Sequence, residues 1–169
     1  NLERFLTAVV PAAEAAEVRL AMHPDDPPLS PLCGLERIMG SPASFDRLLA
    51  ISSSPANAIT FCMGCFAEMG ADVGALIERY RDRIPFVHVR DIRGTPEDFI
   101  ETFPDDGQTD LAAVFRKLHE VGFDGYVRSD HAPELATDRS DAPEGYGMQG
   151  HIFAMGYLRG LATATAVRA

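Results

Sequence analysis

Two rhythms of apolar residues alternate along this chain: short continuous runs, and stretches in which apolar side chains return every three or four positions. Leu2, Phe5, Leu6, Val9 and Val10 follow the second rhythm and predict a helix over residues 2–16. Pro11 sits inside that stretch without the N–H that a helix interior needs, so a kink or break is expected there. Further helices are predicted over 44–52, with Ser41 or Ser44 as N-cap, and over 72–83, 109–121 and 148–165. Thr109 or Asp110 stands at the cap of the helix over 109–121, and Gly122 follows its end. Strand-like runs fall at 18–22, 58–62, 85–89 and 126–128. Long loops are predicted over 23–40, 90–108 and 129–147, and a Met- and Gly-rich loop follows the second strand.

The order is one helix and then four strand–loop–helix units, which predicts an α/β fold with a parallel sheet and helices outside it. The long loops follow strands, whereas the helix-to-strand connections (53–57, 84 and 122–125) are short. That asymmetry belongs to a β/α barrel whose strand-end loops are enlarged for function. A complete eight-unit barrel needs about 250 residues, and this chain has 169. Half a barrel leaves open sheet edges that must be covered. Residues 1–169 are therefore expected to form a single domain, the C-terminal half of a TIM barrel. The N-terminal half would come from a longer protein or from another chain.

Composition narrows the function. A net charge of −10 with a single lysine, Lys117, argues against nucleic-acid binding. No apolar stretch approaches the roughly 20 residues that span a membrane, and no basic-then-apolar segment marks a signal peptide at the start. Three cysteines (Cys33, Cys62 and Cys65) make no disulfide framework and suggest a cytoplasmic setting.

Each strand-like run breaks off at, or one step past, a residue able to bind a divalent cation: His23, Cys62, His88 and Asp130. In parallel neighbouring strands these side chains meet at the end of the sheet where barrel active sites are built. Singly, each has a plainer reading: His23 as a surface-turn residue in HPDDPP, Cys62 as a small apolar residue, His88 as a core histidine. Asp25 and Asp26 could fix the His23 tautomer or be solvated turn residues. Cys62 and Cys65 form a C-x-x-C, but with no second pair a four-cysteine zinc site cannot form in this chain. Asp130 and His131 together place a carboxylate beside an imidazole, so one can bind metal while the other moves protons. His119 and His151 read as structural, and Glu134, Asp138, Asp141 and Glu144 as a solvated face. The donor set suits Zn, Fe(II), Mn or Co.

The stretches LAMHPDDPPLSPLCGLERI, NAITFCMG, PFVHVRDI, KLHEVGFDGYVRSDHA and GYGMQGHIFAMGYLRGL resemble the C-terminal half of the mannonate dehydratases, sugar-acid dehydratases with a xylose-isomerase-like barrel. The resemblance implies dehydration of D-mannonate to 2-keto-3-deoxy-D-gluconate in hexuronate (glucuronate) catabolism, in a cytoplasmic homo-oligomer. It implies Mn(II), or alternatively Fe(II), on His23, Cys62, His88 and Asp130. His131 and Tyr146 would be the acid–base pair, and Arg90 and Arg37 would attend the substrate. The chain reads NAITFC and RSDHA where family members tend to read NGITFC and RPDHG. The alternatives are a sugar isomerase or epimerase on the same barrel, or an inactive half barrel that needs a partner.

Overall fold

The computed structural model describes residues 1–138 and 143–166. Its elements run α1 (Leu2–Ala15), β1 (Leu20–Met22), α2 (Pro42–Ala50), β2 (Asn57–Cys62), α3 (Met63–Glu68), α4 (Val73–Tyr80), β3 (Phe86–Val89), β4 (Asp91–Thr95), β5 (Asp98–Thr102), α5 (Leu111–Glu120), β6 (Tyr126–Ser129) and α6 (Met148–Thr165). Strands β1, β2, β3 and β6 form one sheet in that order, every neighbouring pair parallel.

Alternation along the strands separates a helix-packed face from a site face. Ile59, Phe61, Val87 and Val89 join Phe45, Phe66, Leu76, Ile77, Val114, Phe115 and Leu118 in the buried core. Phe66 of α3 packs on Phe61 with ring centroids 4.5 Å apart and on Phe45 of α2 at 5.1 Å. Burying each such ring contributes about 1.5–3 kcal/mol. Cys62 and His88 lie on the other face as register partners.

The short helix-to-strand turns are locked at the far end of the sheet. Arg83 donates to the carbonyls of Asn57, Ser52 and Ser54, and the Asn57 side chain donates to those of Leu48 and Ser52. The caps fall on residues that compete well for backbone N–H groups. Ser41 accepts from Ser44 N, Asp72 from Ala75 N and Asp110 from Ala113 N.

Several sequence expectations are corrected. α1 runs unbroken through Pro11; Val10 and Ala13 on either side are buried, and packing holds the turn together. The first strand is shorter than 18–22, with Val18 exposed ahead of it. The Met- and Gly-rich segment after Cys62 is a fully buried helical turn and a half, α3, rather than a loop. The expected loop over 90–108 contains an antiparallel hairpin, β4–β5, closed at the pair Thr95 and Asp98. Asp138 is no mere solvated residue: its carboxylate accepts from Leu135 N and Gln149 N at the start of α6. Asp141 lies outside the described residues.

Candidate functional site

The structure brings His23, Cys62, His88 and Asp130 together. His23 follows β1, Cys62 closes β2, His88 lies in β3, and Asp130 follows β6 with its N–H donating to Val89 O at 3.0 Å. The Cys62 sulfur lies 3.6 Å from Asp130 Oδ2, and His88 Nδ1 lies 3.4 Å from Asp130 Oδ1. One ligand atom from each of His23, His88 and Asp130 falls within 4.8 Å of the other two.

The imidazoles are set up as ligands. His23 Nδ1 lies 2.7 Å from Pro24 O. A carbonyl only accepts, so Nδ1 carries the proton and Nε2 keeps its lone pair for a metal. His88 Nδ1 is buried and finds no hydrogen-bond partner among the described residues. An orphaned buried nitrogen costs about 1–3 kcal/mol, and a cation shared with Asp130 would satisfy it. A divalent cation fits this donor set.

Ionisation follows the same logic. Burial works against an ionised Asp130, yet the His88 contact and the charges of His88, His131 and Arg90 hold its carboxyl well below the usual carboxylate range. Burial alone would push the Cys62 thiol up. The neighbouring Cys65 and His23 and the charge of Arg90 outweigh it and bring the thiol down to about 5. Burial disfavours a charged His23, but contact with Cys62 raises its pKa.

Arg90 lies beneath this cluster with its side chain 0% exposed. Its guanidinium is 2.9 Å from Asp26, 2.6 Å from Glu68, 3.3 Å from Glu101, 3.7 Å from Asp130 and 3.3 Å from Cys65 Sγ. A Cβ at Gly64 would come 2.6 Å from Arg90 Cγ, so only glycine lets α3 cross over this side chain. The resemblance implies that Arg90 attends the substrate or its surroundings, and here its partners come from the segments that follow all four sheet strands. Arg37 is likewise paired, through Nε with Asp25 at 3.0 Å, and Asp25 also accepts from Met39 N. Neither Asp25 nor Asp26 holds His23.

One guanidinium faces more carboxylates than it can neutralise. Glu68, fully buried on α3, is pushed by burial from its ordinary value of 4.5 up to about 7, against the pull of Arg90. The folded state therefore favours neutral Glu68. Its stabilising contribution is complete below about 4.5 and is lost as pH rises through about 7. Glu68→Gln is expected to remove that part of the pH slope, read as the difference between wild-type and variant urea midpoints over this window. Parallel curves for the two proteins would refute it.

Beside the cluster lies a second set. His131 Nδ1 is 2.5 Å from Glu101 Oε1, the same oxygen that faces Arg90. Tyr146 meets the His131 ring edge-on with centroids 5.1 Å apart. Ala132 N donates to Gly145 O, which ties the two ends of the 129–147 segment together. Gly145 has φ +80 and passes so close that a Cβ would sit 3.3 Å from His131 Cβ. The contact with Glu101 raises the His131 pKa, although burial opposes the charge. His151, expected to be structural, also joins the site: Nδ1 contacts Ser129 Oγ, and its ring stacks on Tyr146. His119 is exposed and only meets Ala162 O.

Sequence reasoning missed Glu101 and Glu68. Glu101 had a usable signal, the turn residues Gly94, Thr95 and Pro96 between Ile92 and Phe99. Glu68 had none beyond its place after the C-x-x-C.

The chain has counterparts among known proteins. A family model described as D-mannonate dehydratase (UxuA) matches residues 1–168. The chain belongs to the mannonate dehydratase family. Mannonate dehydratase 1 of Bacillus licheniformis is 39% identical over 165 residues, covering 95% of this chain and 44% of that protein. Mannonate dehydratase of Shouchella clausii is 41% identical, with 95% and 45% covered. The chain thus spans about half the length of the curated relatives it matches. The crystal structure of mannonate dehydratase from Streptococcus suis superposes with TM-score 0.90 at 36% identity, over 97% of this chain and 48% of that one. A D-tagatose 3-epimerase-like protein (TM-score 0.68, 19% identity, 96% of this chain and 54% of that one) shares the fold alone.

Proposed function

We propose that this chain is the metal-binding and catalytic half of a D-mannonate dehydratase. The reaction is a hydro-lyase step from D-mannonate to 2-keto-3-deoxy-D-gluconate and water, in cytoplasmic hexuronate catabolism. Its four parallel units would be the C-terminal four of an eight-unit barrel. The observation that carries this reading is the convergence of His23, Cys62, His88 and Asp130 at one end of the sheet, with His131 and Tyr146 in contact beside them. Among the described residues no helix is long and apolar enough to cross a membrane.

His23, Cys62, His88 and Asp130 would hold Mn(II), or alternatively Fe(II), since two imidazoles and a carboxylate suit either. Bound there, the cation supplies Lewis-acid stabilisation of the negative charge that grows on the substrate as its α-proton leaves. Glu101 accepts from Nδ1 of His131, which leaves Nε2 as the lone pair that takes the C2 proton. Tyr146, with its ring partly exposed beside His131, protonates the departing 3-hydroxyl. Arg90 orders the loops that carry these groups.

The test is elemental analysis of protein purified without chelator, beside a D-mannonate assay with added Mn(II) in protein carrying the complete barrel. About one ion per chain and formation of the 2-keto acid are expected. A protein that binds Mn(II) stoichiometrically and leaves D-mannonate unchanged would sink the reading.

A further inference from the structure

Cys65 stands outside the ligand set proposed above, yet its sulfur lies beside two members of that set. One ligand atom each from His23, Cys62 and Cys65 lies within 4.8 Å of the other two. Cys62 closes β2, and Cys65 is three residues on, in the first turn of α3. That spacing returns its side chain to the same side of the chain. Both cysteines are free and buried, with their sulfurs within 4.8 Å of each other. Arg90 donates to Cys65 Sγ at 3.3 Å.

We propose that Cys65, with Cys62 and His23, forms a second and softer metal subsite that takes zinc-class cations and excludes the cation held by His23, Cys62, His88 and Asp130. The proposal rests on the reading that His23 and Cys62 are ligands. Two thiolates and an imidazole are the donors of a zinc site with one open position. Zn–S of about 2.3 Å and Zn–N of about 2.0 Å set tetrahedral ligand separations of roughly 3.5–3.8 Å. The present atoms, all within 4.8 Å of one another, reach those separations by closing at most about 1.3 Å. The ion replaces the proton of the Cys65 thiol, and two thiolates neutralise its charge beside the Arg90 cation. His88 and Asp130, with His23, offer N and O donors that favour Mn(II) or Fe(II) instead. His23 and Cys62 belong to both sets, so one ion occupies the centre at a time. Zinc bound through Cys65 stands away from Asp130 and blocks the centre.

The test uses Co(II) as a spectroscopic probe, with Zn(II) and Mn(II) affinities, on the full metal-free chain kept reduced. The wild type is expected to show a near-ultraviolet thiolate-to-Co(II) band of two-thiolate intensity. Cys65→Ser is expected to halve it. The same variant should weaken Zn(II) binding at least tenfold and change Mn(II) binding less than twofold, a selectivity that general loosening of the fold would not produce. An undiminished band and unchanged Zn(II) affinity in Cys65→Ser, with the band reduced in Cys62→Ser, would overturn the second subsite and leave the family's ligand set standing. Equal loss of Zn(II) and Mn(II) binding in Cys65→Ser would overturn it as well, by making Cys65 a packing residue. A band that survives both substitutions at full strength would remove Cys62 from either site.

Discussion

Dehydration of D-mannonate by the complete barrel is expected to slow by about 10²–10⁴-fold when His131 becomes alanine, while one Mn(II) per chain stays bound. The magnitude is that of losing a positioned general base. Retention of metal follows from geometry, because Asp130, not His131, reaches Cys62 and His88. Tyr146→Phe keeps the ring that packs on His131 and His151 and removes only the O–H, so it separates proton delivery from packing. The decisive measurement is kcat beside bound metal for each variant. Near-normal kcat in His131→Ala, with metal in place, would take the base assignment away from this residue.

Arg90→Met is expected to destabilise the protein by about 3–5 kcal/mol, the usual consequence of removing one partner from a buried ion-paired cluster. Domains are stable by only about 5–15 kcal/mol, so this one change consumes a large share. Asp26, Glu68, Glu101 and Asp130 lose their shared cation together. Lysine is not expected to restore it, because a single ammonium cannot address partners spread around a planar guanidinium. Urea midpoints of Arg90→Met and Arg90→Lys check this, and a midpoint shift worth under 1 kcal/mol for Arg90→Met would refute it.

The strand ends were readable because each apolar run stops at a residue of unlike character, and in a parallel sheet such stops share one edge. His23, Cys62, His88 and Asp130 needed only that rule to be grouped. The parts that escaped depend on partners far along the chain. His131 meets Glu101 from 30 residues away, and Arg90 reaches from Asp26 to Asp130, so no local pattern announces either. α3 was hidden because Gly64 and the sulfur-bearing Met63 and Cys65 read as a loop, whereas burial under Arg90 holds them helical. β4–β5 was hidden because its polar residues, Asp91, Arg93 and Asp98 among them, dilute the alternation. Pro11 misled because its missing N–H was weighed and the packing around it could not be.

The hairpin also makes the chemistry sensitive to counting. Glu101 faces His131, while its neighbour Ile100 points to solvent, because side chains alternate along β5. Thr95 and Asp98 close the turn and so fix which of the two faces inward. One residue inserted between them would present Ile100 to the imidazole and turn the carboxylate outward. Length in that turn is therefore read as parity, and among natural or designed variants an odd change there would be far more damaging than an even one of greater size.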